Sequence, residues 1–209
     1  MEAQESGDGF RAELPLAILE SIRQHDRPTE VLEDEDLAAS LPRRLGLTGV
    51  VESQIHRYRV ARKRRERIPS SEVGDLLRLV LRRPDCEPIL REAGHAVAWQ
   101  YTRKLRSRLA AVGRFLPDAL GTRLAAGALR RLLRRIGGGV PVRVYRNPLR
   151  VEMSGPVSAR VDRYGVACIL YSAAIEEAVR HVLGSAPHVD HNGCEARGDQ
   201  TCVWEVQPA

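Results

Sequence analysis

The residues best suited to chemistry are three cysteines and one histidine in the C-terminal part of the chain. They are Cys168, His191, Cys194 and Cys202, in the pattern C-x22-H-x2-C-x7-C. Thiolates and imidazoles are preferred zinc ligands, and a structural zinc ion takes four ligands in a tetrahedron. Buried cysteines also occur without a metal, because they pack as small apolar side chains. Since C-x7-C is not a standard zinc-ribbon spacing, spacing alone leaves both interpretations open.

The elements predicted around these four residues can bring them together. Cys168 lies at or just before the start of a predicted helix, where the helix dipole favours a thiolate. Two short predicted strands flank a glycine-containing turn, and a hairpin there would return Cys202 towards Cys194. The spacing of His191 and Cys194 allows both side chains to lie on one turn.

The predicted elements are helices first and a sheet afterwards. Apolar residues at helical spacing predict helices over 14–22, 50–67, 70–82, 87–114, 118–136 and 168–183. Alternating apolar residues predict strands over 140–145, 149–154, 187–190 and 201–206. The expected fold class is therefore α+β, with N-terminal helices followed by an antiparallel sheet and a packed helix.

The length of 209 residues favours one domain, with or without an N-terminal extension. We predict a basic extension over 1–67, disordered over 1–12 and helical further on, and a core domain over 68–209. The basic run over 57–67 is compatible with binding to nucleic acid or anionic lipid. Its charges spread around more than one helix face, so we favour a solvated helix without a nucleic-acid partner.

Composition narrows the class of protein further. The net charge of +6 permits an anionic partner, and four cysteines in this length do not make a disulfide scaffold. The first residues are acidic, where a secretion signal would be basic. No apolar run reaches the roughly 18–20 residues of a membrane span. We therefore expect a cytoplasmic protein with reduced thiols and no transmembrane segment.

The segment Cys194-Glu-Ala-Arg-Gly-Asp-Gln-Thr-Cys202-Val-Trp-Glu-Val resembles the C-terminal signature of 4-vinyl reductase domains. These domains bind small molecules and are related in fold to subunits of vesicle-tethering (transport protein particle) complexes. In aromatic-sensing transcription activators with this domain, Cys, Glu, Cys and Cys hold a zinc ion. The cysteine positions match Cys168, Cys194 and Cys202, and the glutamate position falls on His191. The resemblance implies a structural zinc site at these residues and a homodimer.

Upstream segments are similar to the bacteriochlorophyll 4-vinyl reductase branch of this family, over roughly 68–209. The matching segments are Ile68-Pro69-Ser-Ser-Glu72-Val73, Arg91-Glu92-Ala93-Gly94, Tyr101, Leu116-Pro117 and Asn147-Pro148-Leu149. This similarity implies a protein that binds a (proto)chlorophyllide-like tetrapyrrole and assists 4-vinyl reduction in bacteriochlorophyll biosynthesis, a part of photosynthesis, alongside pigment-biosynthesis enzymes. Two alternatives remain: a sensory or regulatory domain for another apolar ligand, and an authentic divinyl chlorophyllide reductase.

A reductase would need a hydride donor, and the sequence has no recognisable motif for one. No G-x-G-x-x-G follows a predicted strand, and the glycines over 137–139 follow a helix instead. There is no C-x-x-C redox pair, so catalytic residues stay unassigned. A plausible ligand lining is the helix over 92–101, with Ala96, His95 and Trp99. His95 could ligate a chlorin magnesium or be an ordinary hydrogen-bonded residue, and we expect Trp99 in the core.

Overall fold

The computed structural model describes residues 9–26, 49–109, 118–184 and 187–207. The helices are α1 Glu13–His25, α2 Gly49–Arg64, α3 Ser70–Leu81, α4 Cys86–Leu109, α5 Asp118–Ile136, α6 Val157–Val161 and α7 Ile169–Leu183. The strands are β1 Gly9–Arg11, β2 Arg67–Pro69, β3 Val142–Arg146, β4 Leu149–Met153, β5 His188–Gly193 and β6 Cys202–Gln207. The predicted α+β class is confirmed; the short elements β1, β2 and α6 were not predicted. Among the described helices, none has the length and apolar character that crossing a bilayer requires.

The main sheet is antiparallel, with the strand order β3-β4-β6-β5. Its buried face follows from the alternation of apolar residues, and Val151 on β4 lies opposite Trp204 on β6. Between β5 and β6, a β-bulge lies between His191 and Gly193. The predicted hairpin that returns Cys202 to the end of β5 is therefore confirmed.

Helix α7 connects the helical part of the core to the sheet. On one side it packs against α4, where Gly94 allows the two backbones to approach closely beside Leu170. On the other side, the ring of Tyr171 lies 5.8 Å from the ring of Trp204, centroid to centroid. Both aromatic rings are buried, so α7 is held from two directions.

The N-terminal segment belongs to the same hydrophobic core, which corrects the predicted division of the chain. Strand β1 pairs antiparallel with β2, and Phe10 lies opposite Ile68 with both side chains buried. The predicted boundary between 67 and 68 thus falls inside β2. The predicted disorder over 1–12 is wrong for Gly9–Arg11, because Phe10 adds apolar burial to a paired strand; residues 1–8 lie outside the described residues.

The charged residues of the basic run are exposed, as predicted, but the helix that carries them is packed against the core. Ile55, Tyr58 and Ala61 on α2 are buried in the core. Arg59 forms an ion pair of 2.8 Å with Glu20 on α1. The arginines are interleaved with an apolar stripe at helical spacing, and this stripe fixes the helix to the core.

Candidate metal centre

The four residues that the sequence singled out converge on one point in the fold. Their ligand atoms, from Cys168, His191, Cys194 and Cys202, all lie within 4.8 Å of one another. Cys168 ends a 3-10 turn that leads into α7, and His191 lies in β5. Cys194 follows β5 directly, and Cys202 is the first residue of β6. The structure therefore brings together every predicted metal ligand.

The geometry of the cluster fits a tetrahedral ion. Two thiolates bound to one zinc ion at about 2.3 Å are roughly 3.8 Å apart, and the Sγ atoms of Cys168 and Cys194 are 3.9 Å apart. All three cysteines are fully buried. Within the described residues, the Nε2 atom of His191 is buried without a hydrogen-bond partner. A buried nitrogen in this state is costly unless it binds something, so this donor set can hold a metal ion.

The loop before α7 is shaped by one carboxylate and one glycine. Asp162 accepts hydrogen bonds from the backbone amides of Tyr164 and Ala167, each at 2.9 Å. Gly165 has a φ of +79° and its carbonyl accepts a hydrogen bond of 3.1 Å from the amide of Cys168. Together these contacts set the direction in which the Cys168 side chain enters the cluster. Ser158, on the unpredicted helix α6, adds an Oγ atom 3.1 Å from the sulfur.

The loop after β5 places Cys194 in a similar way. The backbone amide of Cys194 donates a 2.7 Å hydrogen bond to the carboxylate of Asp199. Its carbonyl accepts hydrogen bonds from the amides of Arg197 at 2.9 Å and Asp199 at 3.2 Å. Asp199 lies inside the signature segment, but its spacing alone does not reveal this role, which depends on how the loop folds back.

The imidazole of His191 is oriented by an aromatic ring across the sheet. It stacks on Trp204 with ring centroids 4.8 Å apart and an interplanar angle of 9°. The indole Nε1 of Trp204 donates a 3.0 Å hydrogen bond to Ser172 on α7. His191 lies within β5 just before the β-bulge, and Cys194 follows the end of that strand, so the two residues do not lie on one turn as the sequence had allowed. They reach the cluster from a strand and from the loop that follows it.

The pKa values of the three thiols in the cluster shift in different directions. A hydrogen bond from Cys168 is the main cause that lowers the pKa of Cys202 to about 4. The same hydrogen bond, followed by burial, raises the pKa of Cys168, and burial raises the pKa of Cys194. These directions run against the expected thiolate at Cys168, because burial and the neighbouring thiols oppose a negative charge there, whereas a thiolate is favoured at Cys202. Such a charge attracts a cation, and a metal ion would release the protons of the other thiols.

We expect Gly165→Ala to weaken metal binding. A Cβ atom at this position would lie 2.9 Å from the Sγ of Cys194, and φ is already unfavourable for alanine. Gly184→Ala is a matched control, because Gly184 has the same φ of +79° and a Cβ atom added there would meet no described atom within 4 Å. Both variants should lose about 1 kcal/mol of stability from the backbone. Only Gly165→Ala should also bind less metal by elemental analysis, and equal metal contents would contradict the role of this contact.

The proposed ligand lining on α4 is only partly buried. Trp99 is 43% exposed and packs edge-on against His181 at 4.8 Å between centroids, so its expected core position is wrong. The Nε2 atom of His95 is buried and has no hydrogen-bond partner among the described residues. Glu177 on α7 is buried beside His181, with 2.9 Å between its Oε1 atom and the Nε2 atom of the imidazole. The periodicity of α7 did not reveal this because α4 covers its polar side too.

Comparison with known proteins adds little to these observations. No family model matches the chain, and no curated protein matches it significantly. One similar solved structure is an H-NOX protein from S. oneidensis in the Fe(II)NO ligation state, with 12% identity, coverage of 92% of this chain and 88% of that chain, and a TM-score of 0.36. A mutant H-NOX protein from S. oneidensis in the Fe(II) ligation state has 13% identity, coverage of 91% and 85%, and a TM-score of 0.36.

A TM-score of 0.36 at this sequence identity is too low to support a conclusion about the fold or the ligand of this protein. The class of protein rests on the chain's own elements and site. It is an α+β protein with a cluster of three buried cysteines and one partly buried histidine that can hold a metal ion.

Proposed function

We propose that the protein is a small-molecule-binding domain whose C-terminal half is stabilised by a structural zinc ion. The observation that carries the zinc proposal is the convergence of Cys168, His191, Cys194 and Cys202 within 4.8 Å. Three thiolates and one imidazole fill all the positions of a tetrahedral zinc ion. Such a closed site has no position for a substrate or a reactive water molecule, so its role is structural.

The zinc ion would connect elements that are otherwise distant in the sequence. Cys168 belongs to the loop that begins α7, and Cys202 begins β6 in the sheet. Zinc would therefore fix the start of α7 against the end of the β5–β6 hairpin that carries the connecting loop. His191 in β5 and Cys194 in the loop that follows would hold the ion from the same hairpin, with Trp204 orienting the imidazole. Binding energy at such a site contributes directly to the stability of the fold.

For the ligand, we propose a (proto)chlorophyllide-like tetrapyrrole, and a role in assisting the 4-vinyl reduction step of bacteriochlorophyll biosynthesis. The support is the similarity of the sequence over roughly 68–209 to that branch of the 4-vinyl reductase domain family. Because no hydride-cofactor motif is visible in the sequence, the protein would bind or present the pigment while another enzyme supplies the hydride. A homodimer is part of the same proposal.

The pigment proposal is tested by titrating the purified protein with divinyl protochlorophyllide. We expect a shifted absorbance band and co-elution of pigment and protein in size-exclusion chromatography, with the elution volume of a dimer. Absence of both the shift and the co-elution would contradict the pigment proposal. A lipid or a simple aromatic molecule found by native mass spectrometry would point instead to a sensory domain. Turnover of the pigment by the pure protein with NADPH would make it a reductase.

A further inference from the structure

A large groove in the described part of the fold is lined by many arginines. It has a volume of about 1190 Å³ and lies between the start of α1 and helices α2, α4 and α5. Its positively charged lining residues are Arg11, Arg62, Arg103, Arg131, Arg134 and Arg135. The groove exceeds the roughly 300–1000 Å³ of a typical small-molecule pocket. We call it the arginine groove.

Its positive charge is poorly compensated. Glu13 is the one carboxylate among the residues that line it. Among the described residues, none of the six guanidinium groups forms an ion pair with a carboxylate. Burial lowers the pKa of Arg135, and repulsion from Arg11 and Arg65 lowers it further. Like charges gathered in a concave site are costly unless an anion offsets them, and they raise the local concentration of anionic ligands.

The floor of the groove is apolar and partly aromatic. Leu132 and Ala128 on α5 are buried beneath it. The guanidinium of Arg135 lies over the ring of Tyr101, 4.5 Å from the ring centroid. The hydroxyl oxygen of Tyr101 is buried and has no hydrogen-bond partner within the described residues. The groove therefore combines an apolar surface, an unused hydrogen-bonding group and several donors suited to carboxylates or phosphates.

We propose that the arginine groove is the ligand site, and that its ligand is a flat apolar molecule carrying carboxylate or phosphate groups. This inference rests on the proposed small-molecule-binding function and assigns it a place and a charge. The buried floor favours a compact ring system over nucleic acid, whose backbone would need arginines along an open surface. The ring lies against Leu132 and Tyr101, and the arginines of α5 hold the acidic groups.

The test uses two fluorescent probes that differ in one charge. The anionic probe is 8-anilinonaphthalene-1-sulfonate, and the neutral one is N-phenyl-1-naphthylamine, which has the same aromatic body without the sulfonate. We expect Arg131→Gln/Arg134→Gln to bind the anionic probe about tenfold more weakly and the neutral probe as well as the parent protein does. Rising salt should weaken only the anionic probe.

A matched control is Arg143→Gln/Arg146→Gln, which removes the same charge from exposed positions on β3 outside the groove. We expect this variant to bind both probes as the parent does. Equal affinity of both double variants for the anionic probe would overturn the proposal, and so would a parallel loss of both probes in Arg131→Gln/Arg134→Gln. Since neither probe is a tetrapyrrole, the result is independent of whether divinyl protochlorophyllide binds.

Competition against the bound anionic probe identifies the acidic group. Protoporphyrin IX offers carboxylates and flavin mononucleotide offers a phosphate. We expect at least one of them to displace the probe from the parent protein, and about tenfold less effectively from Arg131→Gln/Arg134→Gln. Displacement by neither, or stronger displacement by a short single-stranded oligonucleotide, would overturn the assignment to a flat acidic small molecule.

Discussion

Cys194→Ser is expected to remove the zinc ion and to destabilise the fold strongly. Serine is a poor zinc ligand, and the two remaining thiols and the imidazole of His191 would be left buried around an incomplete site. We expect elemental analysis to fall from about one zinc per chain to nearly none. The free energy of unfolding should drop by roughly 3 kcal/mol or more, which lowers the melting temperature by about 10 °C in a protein of this size.

The control for this variant is Cys86→Ser. Cys86 is only partly buried at the start of α4 and is not a member of the cluster. We expect this variant to retain the full zinc content and to melt within about 2 °C of the parent protein. Chelation offers a second check, because removing zinc from the parent should bring its melting temperature close to that of Cys194→Ser. Unchanged stability after complete chelation would mean that the metal has no structural role.

Gly94→Ala is expected to disrupt the packing of α4 against α7. A Cβ atom at this position would overlap the backbone carbonyl oxygen of Leu170 and lie 2.9 Å from the Cβ of Ala173. The carbonyl oxygen of Leu170 and the Cβ atom of Ala173 are fixed by the backbone of α7, so neither can rotate away from the added methyl group. The two helices would therefore have to move apart. We expect a loss of roughly 3 kcal/mol in the free energy of unfolding, measured by denaturant titration.

Gly127→Ala on α5 provides the matched comparison. A Cβ atom there would meet only the flexible end of Arg131, at 3.9 Å. Because alanine favours the helix interior over glycine, this variant should gain up to about 1 kcal/mol. The same substitution in two helices would then change stability in opposite directions. If Gly94→Ala were neutral or stabilising, the close approach of α4 and α7 would not be as described.

The spacing of apolar residues allowed most helices and strands to be predicted, because this spacing differs between the two and shows which face of each element is buried. The periodicity of α5 and the alternation in β4 are local properties of the chain, and both elements lie within a few residues of their predicted positions. The short strands β1 and β2 could not be predicted in this way. Each has three residues, and their pairing depends on Phe10 and Ile68, which are far apart in the sequence.

The amino-acid sequence by itself determined the chemistry of the metal centre, because the types and order of Cys168, His191, Cys194 and Cys202 define the ligand set. Only the tertiary structure decided that these donors meet, since this requires the β5–β6 register and the turn before α7. It also decided how the thiols influence one another, because the hydrogen bond between Cys168 and Cys202 lowers the pKa of Cys202 and raises that of Cys168. The arginine groove likewise exists only in the fold, where residues from separate helices gather around one cavity. Contacts between distant residues depend on how elements pack, and the pattern within one element does not encode that packing.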